Sequence, residues 1–233
     1  MNEARGDGPF ASASPLLLEH RIRAASRELL ILSPPSVDDL MEVLQEVDAI
    51  PFWAQVWDSS RGLCTYLNEL ASGPAPGGLL LELGCGVGTV GCVAAALGWQ
   101  VTMTDFRPEA LQYAACNMAR NGLTAGLAVV DWREPAVRPV FDLVVGSDIL
   151  YEPSVHADLA RMLGEFRAAG ATIILSDPGR DYALQFMALR EKEGWPIELE
   201  LRNGNDGPVG LYIVRPTGTQ QSRIPFPLKE TRE

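Results

Sequence analysis

The sequence predicts an α/β protein: a seven-stranded, mostly parallel sheet with an antiparallel edge pair, helices on both faces and an N-terminal extension. Three observations carry this. From Leu79 onward, short apolar runs alternate with stretches of helical length, the pattern of βαβ units. The first apolar run ends in a glycine-rich turn, Gly84-Cys-Gly86-Val-Gly88. The last two runs, PIELEL and VGLYIVR, close the sheet as an antiparallel pair at one edge.

Residues 1–14 are rich in Gly, Ala, Ser and charge and are expected to form a disordered arm. They contain no apolar stretch of the kind that directs secretion. Residues 15–76 form the N-terminal extension. In it, HRIRAA and RELLIL predict two short strands joined near Ala25 and Ser26. Beyond Pro34-Pro35, Ser36 is an N-cap with Asp39 three residues on, and Val37, Leu40, Leu44 and Val47 share one helical face. PFWAQVWDSSRGLCTYLNEL turns helical from about Ser59 and is stopped by SGPAPGG.

The main domain spans residues 77–215. LLLEL is its first strand, followed by a helix that stops at Gly98. WQVTMTD is the second strand, and Pro108 opens the next helix at its first turn. GLAVVD, FDLVVGSD and ATIILSD follow as strands three to five, with helices at roughly 153–169 and 180–193. Crossovers between parallel strands are expected to be right-handed. Residues 216–233, rich in Pro and charge, are expected to be a loosely held tail.

Composition narrows the function. Of 233 residues, 47% are apolar, enough for a substantial core, and the net charge is −11. Such acidity repels phosphate backbones, so no nucleic-acid partner is expected, and a neutral or basic partner fits better. Cys64, Cys85, Cys92 and Cys116 match no zinc spacing, and His20 and His156 stand far apart, so no metal is expected. The cysteines read as buried thiols in a reducing compartment, which with the missing signal peptide suggests a cytoplasmic protein. No apolar run reaches the ~18 residues that would suggest a membrane span.

The strongest site signal is Glu82-Leu-Gly84-Cys-Gly86-Val-Gly88. Gly84 permits a tight turn, Gly86 lets a ligand approach the backbone, and Gly88 lets the helix begin without a clash. A dinucleotide fingerprint would need its third glycine one place later, where Thr89 stands. That displacement, with the lack of a Tyr-x-x-x-Lys pair, disfavours a nicotinamide-dependent reductase. Asp105 ends the second strand about twenty residues beyond Gly84, where a carboxylate can accept both hydroxyls of an adenosine ribose. It can also serve as a cap for the next helix. Phe106 beside it is grouped with the same site.

The GxGxG loop resembles motif I of the class I S-adenosylmethionine-dependent methyltransferases, which carry a Rossmann-like sheet. The resemblance implies S-adenosylmethionine as cofactor and S-adenosylhomocysteine as product. It places Asp131 near the adenine amino group and Trp132 beside the purine, the alternative being an ordinary strand-end turn. It places Ser147 and Asp148, at the end of strand four, beside the sulfonium.

Asp148-Ile-Leu-Tyr151 lacks the proline pair of many base-methylating enzymes and resembles the [DE]xx[YF] motif of seven-β-strand protein lysine methyltransferases. PFWAQVW resembles that group's PxWAxxW segment. Asp177-Pro-Gly-Arg180 resembles the DPGR of enzymes that methylate the electron-transfer flavoprotein β subunit. The resemblance covers about residues 50 to 190 and implies methyl transfer to a protein lysine. A small-molecule N-, O- or C-methyltransferase with the same cofactor site is the alternative, and a silent cofactor-binding scaffold is disfavoured by the intact loop. A free lysine titrates near ~10.4 and must be neutral to attack. Asp148 is expected to hold the incoming ammonium and Tyr151 to line the channel. Trp53 and Trp57 share a face if helical, either covering the cofactor and acceptor channel or anchoring the N-terminal segment. Asp177 and Arg180 either touch the acceptor or start a helix.

Overall fold

The computed structural model describes residues 17–35, 51–71, 77–138 and 140–217. The expected N-terminal arm, the helix over Ser36–Asp48 and the tail from residue 218 lie outside them. The chain enters as a hairpin, β1 (Leu18–Ala24) and β2 (Arg27–Ser33), turning at Ala25, whose φ is +51°. A 3-10 turn (Phe52–Ala54) and helix α1 (Asp58–Leu70) follow. The domain continues as β3 (Leu79–Leu83), α2 (Thr89–Ala96), β4 (Gln100–Asp105), α3 (Pro108–Arg120) and β5 (Gly126–Val129). It ends with β6 (Leu143–Ser147), α4 (His156–Ala168), β7 (Thr172–Asp177), α5 (Asp181–Lys192), β8 (Ile197–Asn203) and β9 (Pro208–Val214).

Seven strands form one sheet in the order β5-β4-β3-β6-β7-β9-β8. The first five are parallel, and β9 runs antiparallel to both β7 and β8. The side-chain period of two sends alternate residues to opposite faces. Leu80, Val145, Ile174 and Ile213 join one core with the hairpin, α1, α2 and α3. Leu81, Val144, Ile173 and Val214 join the other with α4 and α5. Both faces are therefore covered, which is why the central strands read as unbroken apolar runs.

The hairpin is held to the domain by two asparagines one turn apart, Asn117 on α3 and Asn121 at its C-terminal cap. Asn117 accepts from the Leu32 N–H (2.8 Å) and donates to the Leu32 carbonyl (2.9 Å). Asn121 does the same for Leu30 (3.0 and 2.9 Å). Each amide thus satisfies a pair of backbone groups that an edge strand would otherwise leave open. Asn117 also donates to the carbonyl of Val87 in the glycine loop (2.8 Å), so one buried side chain ties the hairpin to the site.

Strand order reverses between β3 and β6, and ligands in such sheets bind at that switch point, beyond the carboxyl ends of the strands. The turns after β3, β4, β5, β6 and β7 all open on that side. Replacing Asn117 by Ala would leave three backbone groups without partners. We expect a loss of about 3 kcal/mol in denaturant unfolding, and a melting temperature lower by roughly 6–12 °C. Asn121→Ala, at a half-buried position, should cost less.

Candidate active site

The glycine turn exists because β3 must end sharply and pass into α2. Gly84, Gly86 and Gly88 all have positive φ (62°, 52° and 82°), a region closed to most side chains. A Cβ at Gly84 would stand 2.8 Å from Ile149, and one at Gly88 would stand 2.9 Å from the Ala114 Cβ of α3. At Gly86 the neighbour is the protein itself. A Cβ there would lie 2.8 Å from the Trp53 carbonyl oxygen, so the backbone approach expected from a ligand is made first by the PFWAQVW segment.

Asp105 locks this turn. Its Oδ2 accepts from the Gly86 N–H and its Oδ1 from the Arg107 N–H, both at 2.9 Å. Asp105 does not cap the next helix, whose N-cap is Arg107 with no side-chain cap bond; it braces the glycine turn and the chain leaving β4 instead. A carboxylate offers about four acceptor positions, so these bonds do not exhaust it. Burial raises the Asp105 pKa, against the pull of the Arg107, Gly86 and Phe106 N–H groups. Glu82 is fully buried and its Oε2 has no hydrogen-bond partner among the described residues. Burial pushes its pKa up to about 8; the Gly91 N–H opposes this and the Asp105 charge adds to it.

These residues line one cavity of about 760 Å³, within the ~300–1,000 Å³ of small-molecule sites. The cavity brings together Trp57, Glu82, Gly84, Gly86, Asp105, Phe106, Asp131, Trp132, Ser147, Asp148 and Tyr151, whereas Gly88 packs behind the loop and Asp177 does not line it. Asp131 is clasped by Arg133 at 2.6–3.0 Å, which holds its carboxyl below the usual range, and Arg133 also lies over the Phe106 ring at 5.8 Å.

On the opposite side, Asp148 takes the left-handed conformation (φ +57°) and is nearly buried. Its Oδ1 accepts from Arg180 at 2.7 Å, and Arg180 also pairs with fully buried Asp177 at 2.9 Å. Asp177 Oδ1 in turn accepts from the Gly179 and Arg180 N–H groups (2.8 Å each), so it shapes the turn before α5. Burial raises the Asp148 pKa, and the Arg180 charge opposes this. Asp148 is therefore already engaged by a cation of the chain. Arg180 is the cavity residue with the largest bearing on Asp148 that motif reading left undecided, although the DPGR sequence was its signal.

Trp53 and Trp57 do not share a helical face. The 3-10 turn ends at Ala54, Gln55 is extended, and α1 begins only at Asp58. Both indoles nevertheless line the cavity, and Trp57 Nε1 donates to the Phe52 carbonyl at 2.9 Å. Phe52, which the sequence did not single out, lies with its ring 5.3 Å from Tyr151 and 6.2 Å from Trp57. Three of the cysteines are buried and Cys116 is only partly so; all are free. Among the described residues no cluster of His, Cys, Asp or Glu is placed to hold a metal, and no helix is long and apolar enough to cross a membrane.

Sheet order and site together define a class I, Rossmann-like methyltransferase fold. The tRNA (uracil-54, C5)-methyltransferase of Pyrococcus abyssi, solved with S-adenosyl-L-homocysteine, superposes with a TM-score of 0.54 at 19% identity, over 84% of this chain and 44% of that one. The chain belongs to the lysine methyltransferase family, whose sequence model matches residues 37–192. It is 33% identical to mouse protein N-lysine methyltransferase METTL21A over 58% of this chain, spanning 65% of that protein's length. It is 39% identical to mouse EEF1A lysine methyltransferase 3 over 70% of this chain and 72% of that protein.

The residues fit the family's cofactor, S-adenosylmethionine: a carboxylate with free acceptor positions, an orphaned buried carboxyl and a cavity of suitable size. Gly86→Ala should abolish measurable cofactor binding by calorimetry, because the new methyl meets the Trp53 carbonyl. Gly122→Ala, also at positive φ but in open space, should cost only about 1 kcal/mol of stability. The raised Glu82 pKa also makes a pH prediction. A group that binds its proton more tightly when folded loses stability as pH rises, here from about 4.5 to about 8. Glu82→Gln should therefore gain on the wild type across that window, level off above it and match it below, as read by thermal unfolding at each pH.

Proposed function

We propose that this chain is an S-adenosylmethionine-dependent protein lysine N-methyltransferase acting on a cytoplasmic acceptor. One observation carries the reading: a single cavity joins the glycine loop and Asp105 on one side to the Asp148–Tyr151 turn and its aromatic neighbours on the other. Family membership over both halves supports the lysine acceptor, as do the names of the two mouse relatives. Free thiols suit a reducing compartment.

In this reading Asp105 takes the ribose hydroxyls, while Asp131, Phe106 and Trp132 surround the adenine. Glu82, the loop N–H groups and Ser147 face the methionine portion, with Trp57 covering it. When bound, the cofactor supplies an electrophilic methyl group on a sulfonium. The chain's own task is alignment and exclusion of water, since an in-line displacement needs a fixed angle of attack more than an acid or base. Phe52, Trp57 and Tyr151 wall the acceptor side with apolar surface, which favours the neutral amine over the ammonium. Asp148, held by Arg180, fixes that wall.

The test is transfer of tritium from labelled S-adenosylmethionine into a lysate of cells lacking this chain. Label is expected in protein, on a lysine located by mass spectrometry. Label confined to the small-molecule fraction would overturn the lysine reading. Asp105→Ala should weaken cofactor affinity roughly 100-fold, since two charge-assisted hydrogen bonds are lost.

A further inference from the structure

We propose that the outer edge of β1, with the groove it forms against α1, is a docking surface for an extended acidic segment of the protein acceptor, which adds to the hairpin as a third strand. That the partner is the acceptor rests on the lysine-methyltransferase reading of the main cavity; the binding itself does not.

The first support is an unfinished edge. Opposed residues of an antiparallel pair point their backbone groups either at each other or both away. Leu30 and Leu32 of β2 turn theirs away from β1, to Asn121 and Asn117. Their partners across the hairpin, Arg21 and Glu19, therefore direct N–H and carbonyl to the opposite edge. Arg23 has the same phase, and its carbonyl accepts from Asn68 of α1 at 3.0 Å. Asn68 also accepts from the Ala25 N–H (2.6 Å), so this edge is closed at its turn end only. Among the described residues nothing outside the hairpin bonds to the backbone of Glu19 or Arg21. An open strand edge is a template for another extended chain.

The second support is charge. A separate cavity of about 550 Å³ runs along this edge, lined by α1, by β1 and by the β8–β9 turn at residues 203–205. Arg21, Arg23 and Arg61 line it against one carboxylate, Glu69, the reverse of a chain with 30 acidic and 19 basic residues. Glu69 is itself bound by Arg202 at 2.6 Å. Among the described residues Arg23 and Arg61 pair with no carboxylate, and Arg21 has only the exposed Glu28. Arg61 instead donates to His20 Nδ1 at 3.2 Å. An arginine can only donate, so His20 is the neutral tautomer, with Nε2–H on Ser33 Oγ at 2.8 Å. Burial and the Arg61 charge both lower the His20 pKa, which keeps the ring neutral and leaves the guanidinium charge to the groove. Arg21 and Arg23 share the exposed face of β1, where carboxylates at alternate positions of an added strand would meet them as cross-strand pairs. The dense charge of a nucleic acid is repelled by a net charge of −11, and β1 of a second copy would set arginine against arginine. Arg61 follows Ser60, which lines the main cavity, so a chain held in the groove has its neighbouring residues near the site of methyl transfer.

The experiment titrates the full chain into fluorescein-labelled acetyl-EVEVEVE-amide, read by fluorescence polarisation, beside acetyl-KVKVKVK-amide and an EVEVEVE peptide N-methylated at every residue. The acidic peptide should bind with a Kd below about 1 mM, roughly tenfold or more tighter than the other two, and more weakly as salt rises. Arg21→Ala and Arg21→Pro separate charge from edge. Both lose the guanidinium, but only proline also removes the outward N–H, and it breaks no bond to β2. Arg21→Pro should bind about threefold or more weakly than Arg21→Ala. The N-methylated peptide puts the same question to the unaltered chain. Excess EVEVEVE should also lower the labelling of protein in the tritium assay. No binding of the acidic peptide by about 1 mM, equal binding of the N-methylated form, or tighter binding of an oligouridylate would overturn the docking surface. So would a dimer of the free chain in sedimentation that Arg21→Pro dissociates. Binding that leaves protein labelling unchanged would overturn the assignment to the acceptor. Failure to bind S-adenosylhomocysteine, measured separately by calorimetry, would instead strike the methyltransferase reading.

Discussion

The site depends on the hydrogen bond between the Asp105 carboxylate and the Gly86 N–H. It joins the end of β4 to the turn after β3 and so sets the width of the crevice at the switch point. The turn could not sit there with any other residue at 86, because the Trp53 carbonyl already occupies the space a side chain would need. The constraint passes onward through Asn117, which holds the Val87 carbonyl with one hand and the hairpin edge with the other. Hairpin, upstream aromatic segment and nucleotide-type loop are therefore one mechanical unit. This explains why the N-terminal extension shares its core with the sheet.

The other wall answers to a different rule. Asp148 and Asp177 are two carboxylates in a dry place, and Arg180 between them leaves the group with one net negative charge. Burying a charge is costly unless it is paired. Removing the arginine would leave two like charges together, so the arrangement fixes the turn that carries Tyr151. The left-handed backbone at Asp148 is a strain that this pairing offsets.

Most of the fold was legible because its signals are local. Period-two alternation, the Pro108 helix start and the Gly98 stop need no knowledge of distant residues, and the hairpin near Ala25 declared itself by two short β-rich runs. The glycine-loop side of the cavity was legible for the same reason: Glu82, Gly84, Gly86 and Asp105 sit at strand ends, where chain position nearly fixes spatial position. The acceptor side was less so. Asp148 read as a free carboxylate because its partner, Arg180, lies a whole βα unit away and only pairing of β6 with β7 brings them together. Spacing leaves open whether Trp53 and Trp57 share a helical face, because it cannot show that Gln55 is extended. Phe52 carried no signal at all, since its meaning arises only when Tyr151 arrives across the cavity.

The central claim is that the glycine loop and the carboxylate closing β4 together grip an adenosyl group. A crystal structure of the chain grown with S-adenosylhomocysteine tests it most directly. The account predicts both ribose hydroxyls on the free acceptor positions of Asp105, with the Asp105–Gly86 bond intact and the sulfur directed toward the Asp148–Tyr151 turn. Density for the ligand anywhere else, or Asp105 turned away from it, would contradict the account.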